Sequence, residues 1–314
     1  VKERVRITDV SPRDGLQNEA GIIPTADKVR LIELLCATGV DEIEVTSFVS
    51  PKWVPQLGDA EQVIEMIAPL WPRTVTDRGP MCSVLVPNEK GMEAAIRANR
   101  LAVALTGRPL IDKVSVFTAA SETFSMKNTN ATIAETIERF KPVAALASSN
   151  SLLVRGYVSC AFGCPFEGPI GPEQVSSVGW LLEPIADELD LGDTIGAATP
   201  ESIRALLPRT SDYSYSEITL HLHDTFGRAA ECVKVALDMG VRSFDGSVAG
   251  LGGCPYASKK LPDGTIQRAP GNISTELLVQ TIEDAGYETG VDRDALAKAA
   301  AFAREIVAKS RAGA

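Results

Sequence analysis

Short runs of β-branched and apolar residues alternate along the chain with longer stretches whose apolar positions recur at helical spacing. Gly, Pro, Asn or Asp separates the two kinds of segment. Eight runs read as strands: Val5–Ser11, Glu42–Phe48, Cys82–Pro87, Lys113–Ala119, Leu152–Cys160, Glu188–Thr194, Ile218–Asp224 and Ser243–Ala249. Between them Ala26–Thr38, Asp59–Ile67, Glu89–Asn99, Thr132–Ala147, Pro172–Asp187, Pro200–Leu207 and Arg228–Met239 read as helices, followed by Thr275–Ala285. Thr199-Pro200 sets a capping hydroxyl before a proline at the first helical position, and Asn130 and Thr132 precede another apolar-periodic run. A parallel strand needs a crossover to return, and these βα units follow one another without a break in composition. The pattern predicts an α/β protein with a single (β/α)8 TIM barrel over residues 1–290. A C-terminal helical extension, 291–314, would pack on the outside of the barrel through its Ala-rich stretch Asp292–Ala308. No G-x-G-x-x-G follows the first strand and no P-loop is found, so a doubly wound nucleotide fold is the weaker reading.

Composition narrows the function. The 314 residues carry 31 Lys plus Arg against 41 Asp plus Glu, a net charge of −10, which argues against a nucleic-acid binder driven by bulk charge. With 45% hydrophobic and 23% charged residues the chain can bury a large core, yet no stretch approaches the ~20 apolar residues that span a bilayer. Six dispersed cysteines argue for reduced thiols rather than a disulfide scaffold. Together with a charged, strand-like start, they make a cytoplasmic protein the expectation.

In such a barrel the chemistry lies at the C-terminal ends of the strands. The chain has only two histidines, His221 and His223, two apart in one strand. Side chains alternate across a strand, so both imidazoles share a face and can hold one cation between them. The first strand runs into Ser-Pro-Arg-Asp-Gly, where Asp14 could add an oxygen ligand and Arg13 could meet a substrate carboxylate or enolate. The same residues also suit a plain turn with an ion pair. Imidazole with carboxylate suits Mg²⁺ or Mn²⁺, and the Cys160/Cys164 spacing makes a poor zinc knuckle. The last strand enters Ala249-Gly-Leu-Gly-Gly-Cys-Pro-Tyr-Ala257, a loop able to move, with Cys254 as a general acid or base or else an inert thiol. Asn272 stands before the next helix as a metal ligand or its N-cap. Glu44 and Asp193 lie at strand ends, where a charge needs a partner or a function, and Arg13 is the natural partner for Glu44.

These motifs together resemble the 3-hydroxy-3-methylglutaryl-CoA lyase family of barrel metallolyases, a group that also includes condensing synthases. The resemblance rests on Ser11-Pro-Arg-Asp-Gly-Leu-Gln-Asn-Glu19, the run from Glu44 to Gln56, Val116–Glu122, Arg155–Cys160, Gly192-Asp-Thr-Ile-Gly196, His221-Leu-His-Asp-Thr225 and Ser247–Ala257. It implies a divalent-cation cofactor, Mg²⁺ or Mn²⁺, held by Asp14, His221, His223 and Asn272. It also implies a catalytic set of Arg13, Glu44, Asp193, His221 and Cys254. The implied reaction cleaves 3-hydroxy-3-methylglutaryl-CoA to acetoacetate and acetyl-CoA, with an acyl-CoA as the small-molecule partner, a homodimer as the expected assembly, and neither nucleic acid nor membrane as partner. Between Cys254 and Asn272 the chain inserts Ser258–Arg268, longer than the family connection, with a Pro-Asp-Gly turn that reads as a small hairpin. That change bears on substrate choice and keeps a sibling such as citramalyl-CoA open. A condensing acyltransferase on the same barrel and a noncatalytic binding barrel are the competing functions.

Overall fold

The computed structural model describes residues 2–72, 79–210, 213–253 and 269–313, together with the backbone of 259–260 and 266–267. Eight parallel strands close a barrel: β1 (Arg6–Asp9), β2 (Glu42–Ser47), β3 (Met81–Leu85), β4 (Lys113–Ala119), β5 (Leu153–Ser159), β6 (Glu188–Gly192), β7 (Ile218–His221) and β8 (Ser243–Gly246). Each strand pairs with its sequence neighbours, and β1 with β8 completes the ring. The (β/α)8 architecture expected from the hydrophobic pattern is the one observed.

The outer face of the sheet is apolar: Ile7, Ile43, Val84, Val114, Val116, Val154, Leu189, Leu191, Leu220 and Phe244 are buried in one continuous cluster with the surrounding helices. At ~1.5–3 kcal/mol for each fully buried aliphatic or phenyl side chain, this layer is what closes the barrel. The helices are α1 (Thr25–Cys36), α2 (Ala60–Ile67), α3 (Glu89–Thr106), α4 (Glu122–Thr129), α5 (Ile133–Ser149), α6 (Pro172–Leu182), α7 (Pro200–Leu206), α8 (Ala229–Asp238), α9 (Thr275–Asp284) and α10 (Arg293–Ala312). Thr132 and Glu135 form a capping box on α5, and Thr199 caps α7. α10 buries Leu296, Ala299, Ala300, Ala303, Ile306 and Val307.

Several boundaries differ from the sequence reading. α3 runs on to Thr106 because nothing breaks it before Gly107, which ends it in the left-handed region at φ 77°. α6 stops at Leu182, just before Pro184. α4 has no counterpart in the pattern, because only Phe124 and Ser125 of its residues are buried and no apolar stripe marks it. β7 ends at His221 rather than Asp224, since His223 leaves the ladder to bridge Asn272 in antiparallel fashion. In the expected hairpin, Lys259–Lys260 pairs antiparallel with Ile266–Gln267, and its turn lies outside the described residues.

Candidate active site

The chain leaves β1 in a π-helical turn, Ser11–Gly15, where the N–H groups of Asp14 and Gly15 converge on the Val10 carbonyl. Such turns re-aim side chains at functional positions, and this one turns Arg13 and Asp14 to the barrel mouth. Arg13 donates from Nε to Glu44 Oε2 at 2.5 Å and from Nη1 to Asp14 Oδ1 at 2.9 Å. Its guanidinium carbon lies 5.5 Å from the centre of the Tyr157 ring. Burial works against the cation, but Glu44 and Asp14 outweigh it and hold the guanidinium above its ordinary range. Only two of its five N–H donors meet a protein acceptor among the described residues, so the group can still receive an oxyanion.

Opposite Arg13, His221 and His223 point their Nε2 atoms at each other across 3.3 Å, and His221 Nε2 lies 3.9 Å from Asp14 Oδ2. Asn272 Nδ2 donates to Asp14 Oδ2 at 2.8 Å and to the Leu251 carbonyl at 2.9 Å. Ser274, not Asn272, caps α9, so the amide is free of that duty. The four side chains expected as ligands therefore meet at one point. Asp14, His221 and His223 offer donor atoms within 4.8 Å of one another, a group able to hold a metal ion. The electrostatics fit a cation. Burial raises the Asp14 carboxyl, but Arg13 first and then His221 reverse this and keep it ionised below its ordinary value. His223 is pushed down to about 4, first by burial and then by its neighbour His221, so its ring is neutral. For His221 burial is outweighed by Asp245 and Asp14, and the pKa rises. At 3.3 Å the two ring nitrogens are close enough for both rings to hold one ion. Turning the Asn272 amide over would present its oxygen at the same place.

Asp193, just past β6, is buried, and its oxygens accept from the backbone N–H of Ala197 at 2.7 Å and Ala198 at 3.1 Å. Burial pushes it up to about 7, although those bonds, Arg228 and His221 all pull the other way. Cys254 lies outside the described residues.

Sequence reasoning missed the polar interior beneath this rim. Lys113 bonds Glu42 at 2.7 Å and Glu188 at 2.6 Å, with all three at the first position of their strands. Above them Arg155 bonds Asp245 at 3.0 Å and Thr8 at 3.1 Å, and Tyr157 lies within 3.4 Å of both Glu44 oxygens. The signal was present as alternation within the strands: Glu42-x-Glu44, Arg155-x-Tyr157, Glu188-x-Asp190, Thr219-x-His221 and Ser243-x-Asp245.

A closed parallel barrel whose strand ends present an arginine, an ionised aspartate and two facing imidazoles defines a barrel enzyme with a cation-competent mouth. The chain belongs to the HMGL-like family, which it matches over residues 4–303. It is 43% identical over 302 residues to the mitochondrial hydroxymethylglutaryl-CoA lyase of Gallus gallus, covering 96% of this chain and 92% of that protein. The crystal structure of the HMG-CoA lyase from Brucella melitensis superposes with a TM-score of 0.85 at 43% identity, covering 98% of this chain and 99% of that one. An HMG-CoA lyase from Acinetobacter baumannii, solved with coenzyme A and 3-methylmalate, gives a TM-score of 0.83 at 32% identity over 97% of this chain and 92% of that one.

Proposed function

We propose that the chain is a divalent-cation-dependent carbon–carbon lyase that cleaves 3-hydroxy-3-methylglutaryl-CoA into acetoacetate and acetyl-CoA. The observation that carries this reading is the convergence of Asp14, His221 and His223 beside Arg13 at the barrel mouth, in a chain of this family. In the reaction a base removes the proton of the tertiary hydroxyl, and that oxygen becomes the ketone of acetoacetate. The bond between C2 and C3 breaks, its electron pair forms the thioester enolate, and an acid protonates C2 to give acetyl-CoA.

Asp14, His221, His223 and Asn272 would hold the cation, which acidifies a bound hydroxyl and stabilises developing negative charge. Oxygen and imidazole donors favour Mg²⁺ or Mn²⁺ over thiol-seeking ions. Arg13 faces the thioester oxygen and carries the charge of the enolate. Glu44 fixes the direction of the guanidinium through Nε, leaving the remaining N–H groups for substrate. Asp193, poised near neutral pH, is the candidate base, and Cys254 the candidate acid. No helix among the described residues is long and apolar enough to cross a membrane. A cytoplasmic homodimer remains part of the proposal, and sedimentation of the purified protein tests its assembly.

The functional test is acetyl-CoA release over a panel of 3-hydroxyacyl-CoAs that includes citramalyl-CoA, with Mg²⁺, Mn²⁺ or chelator. Cleavage of the hydroxymethylglutaryl thioester in preference to the others supports the proposal. Net condensation of acetyl-CoA with a 2-oxo acid, or binding without turnover, sinks it.

A further inference from the structure

Behind His221 the barrel holds two carboxyl groups that the reaction above does not use. Asp245 on β8 pairs in register with His221 on β7, and Asp190 lies on the far side of β7, on β6. Both are buried. Asp245 Oδ2 lies 3.1 Å from His221 Nδ1 and accepts from the Tyr157 hydroxyl at 3.3 Å, while its Oδ1 accepts from Arg155 Nη1 at 3.0 Å. Asp190, Asp245 and His221 offer polar atoms within 4.8 Å of one another, and Asp190 stands 3.7 Å from Arg155 Nη1. Neither of its oxygens accepts from an N–H or hydroxyl among the described residues.

The chemistry of these contacts is directional. An ionised carboxylate only accepts, so a ring nitrogen bonded to one must carry a hydrogen. A neutral imidazole has one N–H, which places the lone pair of His221 on Nε2, the atom that looks toward His223 and Asp14. We propose that Asp245, braced by Arg155, is a positioning residue that fixes His221 as its Nδ1–H tautomer and so aims the Nε2 lone pair at the cation. Two buried carboxyl groups this close, sharing one guanidinium, disfavour double ionisation. Asp245 has Arg155 and His221 against it at 3.0 and 3.1 Å, whereas neither Asp190 oxygen has a hydrogen-bond donor among the described residues, so Asp245 is the one that stays ionised. The carboxylate behind the ring is held on its far side by Arg155, and the Tyr157 hydroxyl, whose one proton is shared between Asp245 and Glu44, lies within 3.3 Å of it.

This inference rests on the cation-site reading, and Asp245→Asn tests it separately. Arg155 must keep an acceptor, so the amide oxygen stays on its side and the amide N–H group faces His221 Nδ1. That reversal favours the Nε2–H tautomer while preserving shape. Manganese titration of the purified protein, followed by the electron paramagnetic resonance of free Mn²⁺ without substrate, reads the effect. Asp245→Asn is expected to bind Mn²⁺ ~10–100-fold more weakly than the parent. Asp190→Asn leaves the Arg155 and His221 contacts of Asp245 in place and is expected to bind close to the parent. Long-range ¹⁵N–¹H spectra of the metal-free protein at alkaline pH give an independent reading, because the chain has only two histidines. The parent should show His221 protonated on Nδ1, and Asp245→Asn should show it protonated on Nε2, with His223→Gln assigning the signals. A parent ring protonated on Nε2, undiminished Mn²⁺ affinity in Asp245→Asn, or a collapse of affinity in Asp190→Asn overturns the proposal. His221→Ala separates the two ideas. If it binds Mn²⁺ like the parent, the cation-site reading itself fails; if it loses the ion while Asp245→Asn keeps it, only the positioning role fails.

Discussion

Arg13 is held by two carboxylates and stacked near Tyr157, so its replacement does two things at once. Arg13→Met removes the charge that would meet the enolate and leaves Glu44 buried without its strongest partner. Breaking a buried pair costs ~3–5 kcal/mol, which urea unfolding should register. The rate of cleavage should fall by about 10²–10³, the size of losing one preorganised donor to an oxyanion. Asp193 makes a prediction of opposite sign for stability. Its folded pKa of about 7 lies above the ordinary value of 3.8, so its contribution to stability is fully present at low pH and is lost as pH rises toward 7. In the metal-free protein Asp193→Asn should therefore melt higher than the parent at pH 8, and the gap should close toward pH 4. The same variant should lose about 10²–10⁴ in kcat if Asp193 is the base, together with the acid limb of the pH profile. Unequal legibility follows from the same physics. Two histidines at i and i+2 announce a shared strand face, and Glu44 announces that it needs a cation. Asp245 stands in Ser-Phe-Asp-Gly, which reads locally as an ordinary strand end. Only the register of β8 against β7 reveals that it lies behind His221.

At the level of elements, the rim is assembled by close backbone crossing. Gly252, at φ 102°, lies where a Cβ would sit 2.6 Å from Asn272 Nδ2 and 3.1 Å from Asp14 Oδ2. A Cβ on Gly271 would come within 2.3 Å of the Gly252 carbonyl oxygen. The loop after β8 and the segment carrying Asn272 can therefore pass only as glycines. Gly252→Ala would add left-handed strain of roughly 1–2 kcal/mol and push Asn272 off Asp14. Mn²⁺ affinity measured by calorimetry should fall together with kcat/KM, while the melting temperature moves little. Retained affinity would show that Asn272 does not help hold the ion. The glycine-dense loop was visible in the sequence, but its contact with Asn272, a residue 20 positions further on, was not. Strand ends were overestimated for a related reason: β-branched composition continues after the ladder stops, because rim residues such as His223 turn to bridge a neighbouring loop. α4 stayed hidden because periodicity detects burial, and this helix buries little.

Across the whole molecule, the barrel is filled by charge where many barrels are filled by branched aliphatics. Lys113, Glu42 and Glu188 plug the end opposite the mouth, and Arg155 links that plug to the layer behind His221. Glu188 is held at about 2, because Arg155 and Lys113 outweigh its burial. Its folded pKa is depressed, so its stabilisation is present above the ordinary carboxylate value of 4.5 and is lost as pH falls toward 2. Lys113→Met should cost about 3 kcal/mol, the lower end for breaking a buried pair, since Arg155 still reaches both glutamates. Denaturation at pH 7 should show this loss, and the difference from the parent should shrink between pH 4.5 and 2. Cation binding at the mouth should persist, because no ligand touches Lys113. Eight alternating βα units made the barrel legible from sequence, since every parallel strand demands its crossover. The ionic interior was not, because single charges in strands gain meaning only when the ring closes. The proposed function hangs on Asp14, His221 and His223 holding the ion that cleavage would require. Acetyl-CoA release by chelator-treated protein, followed as Mn²⁺ is added back, puts this to the test: release should start from nothing, saturate near one ion per chain, and stay absent in His223→Ala at the same Mn²⁺. Full release in the presence of chelator, or an unchanged Mn²⁺ response in His223→Ala, would refute it.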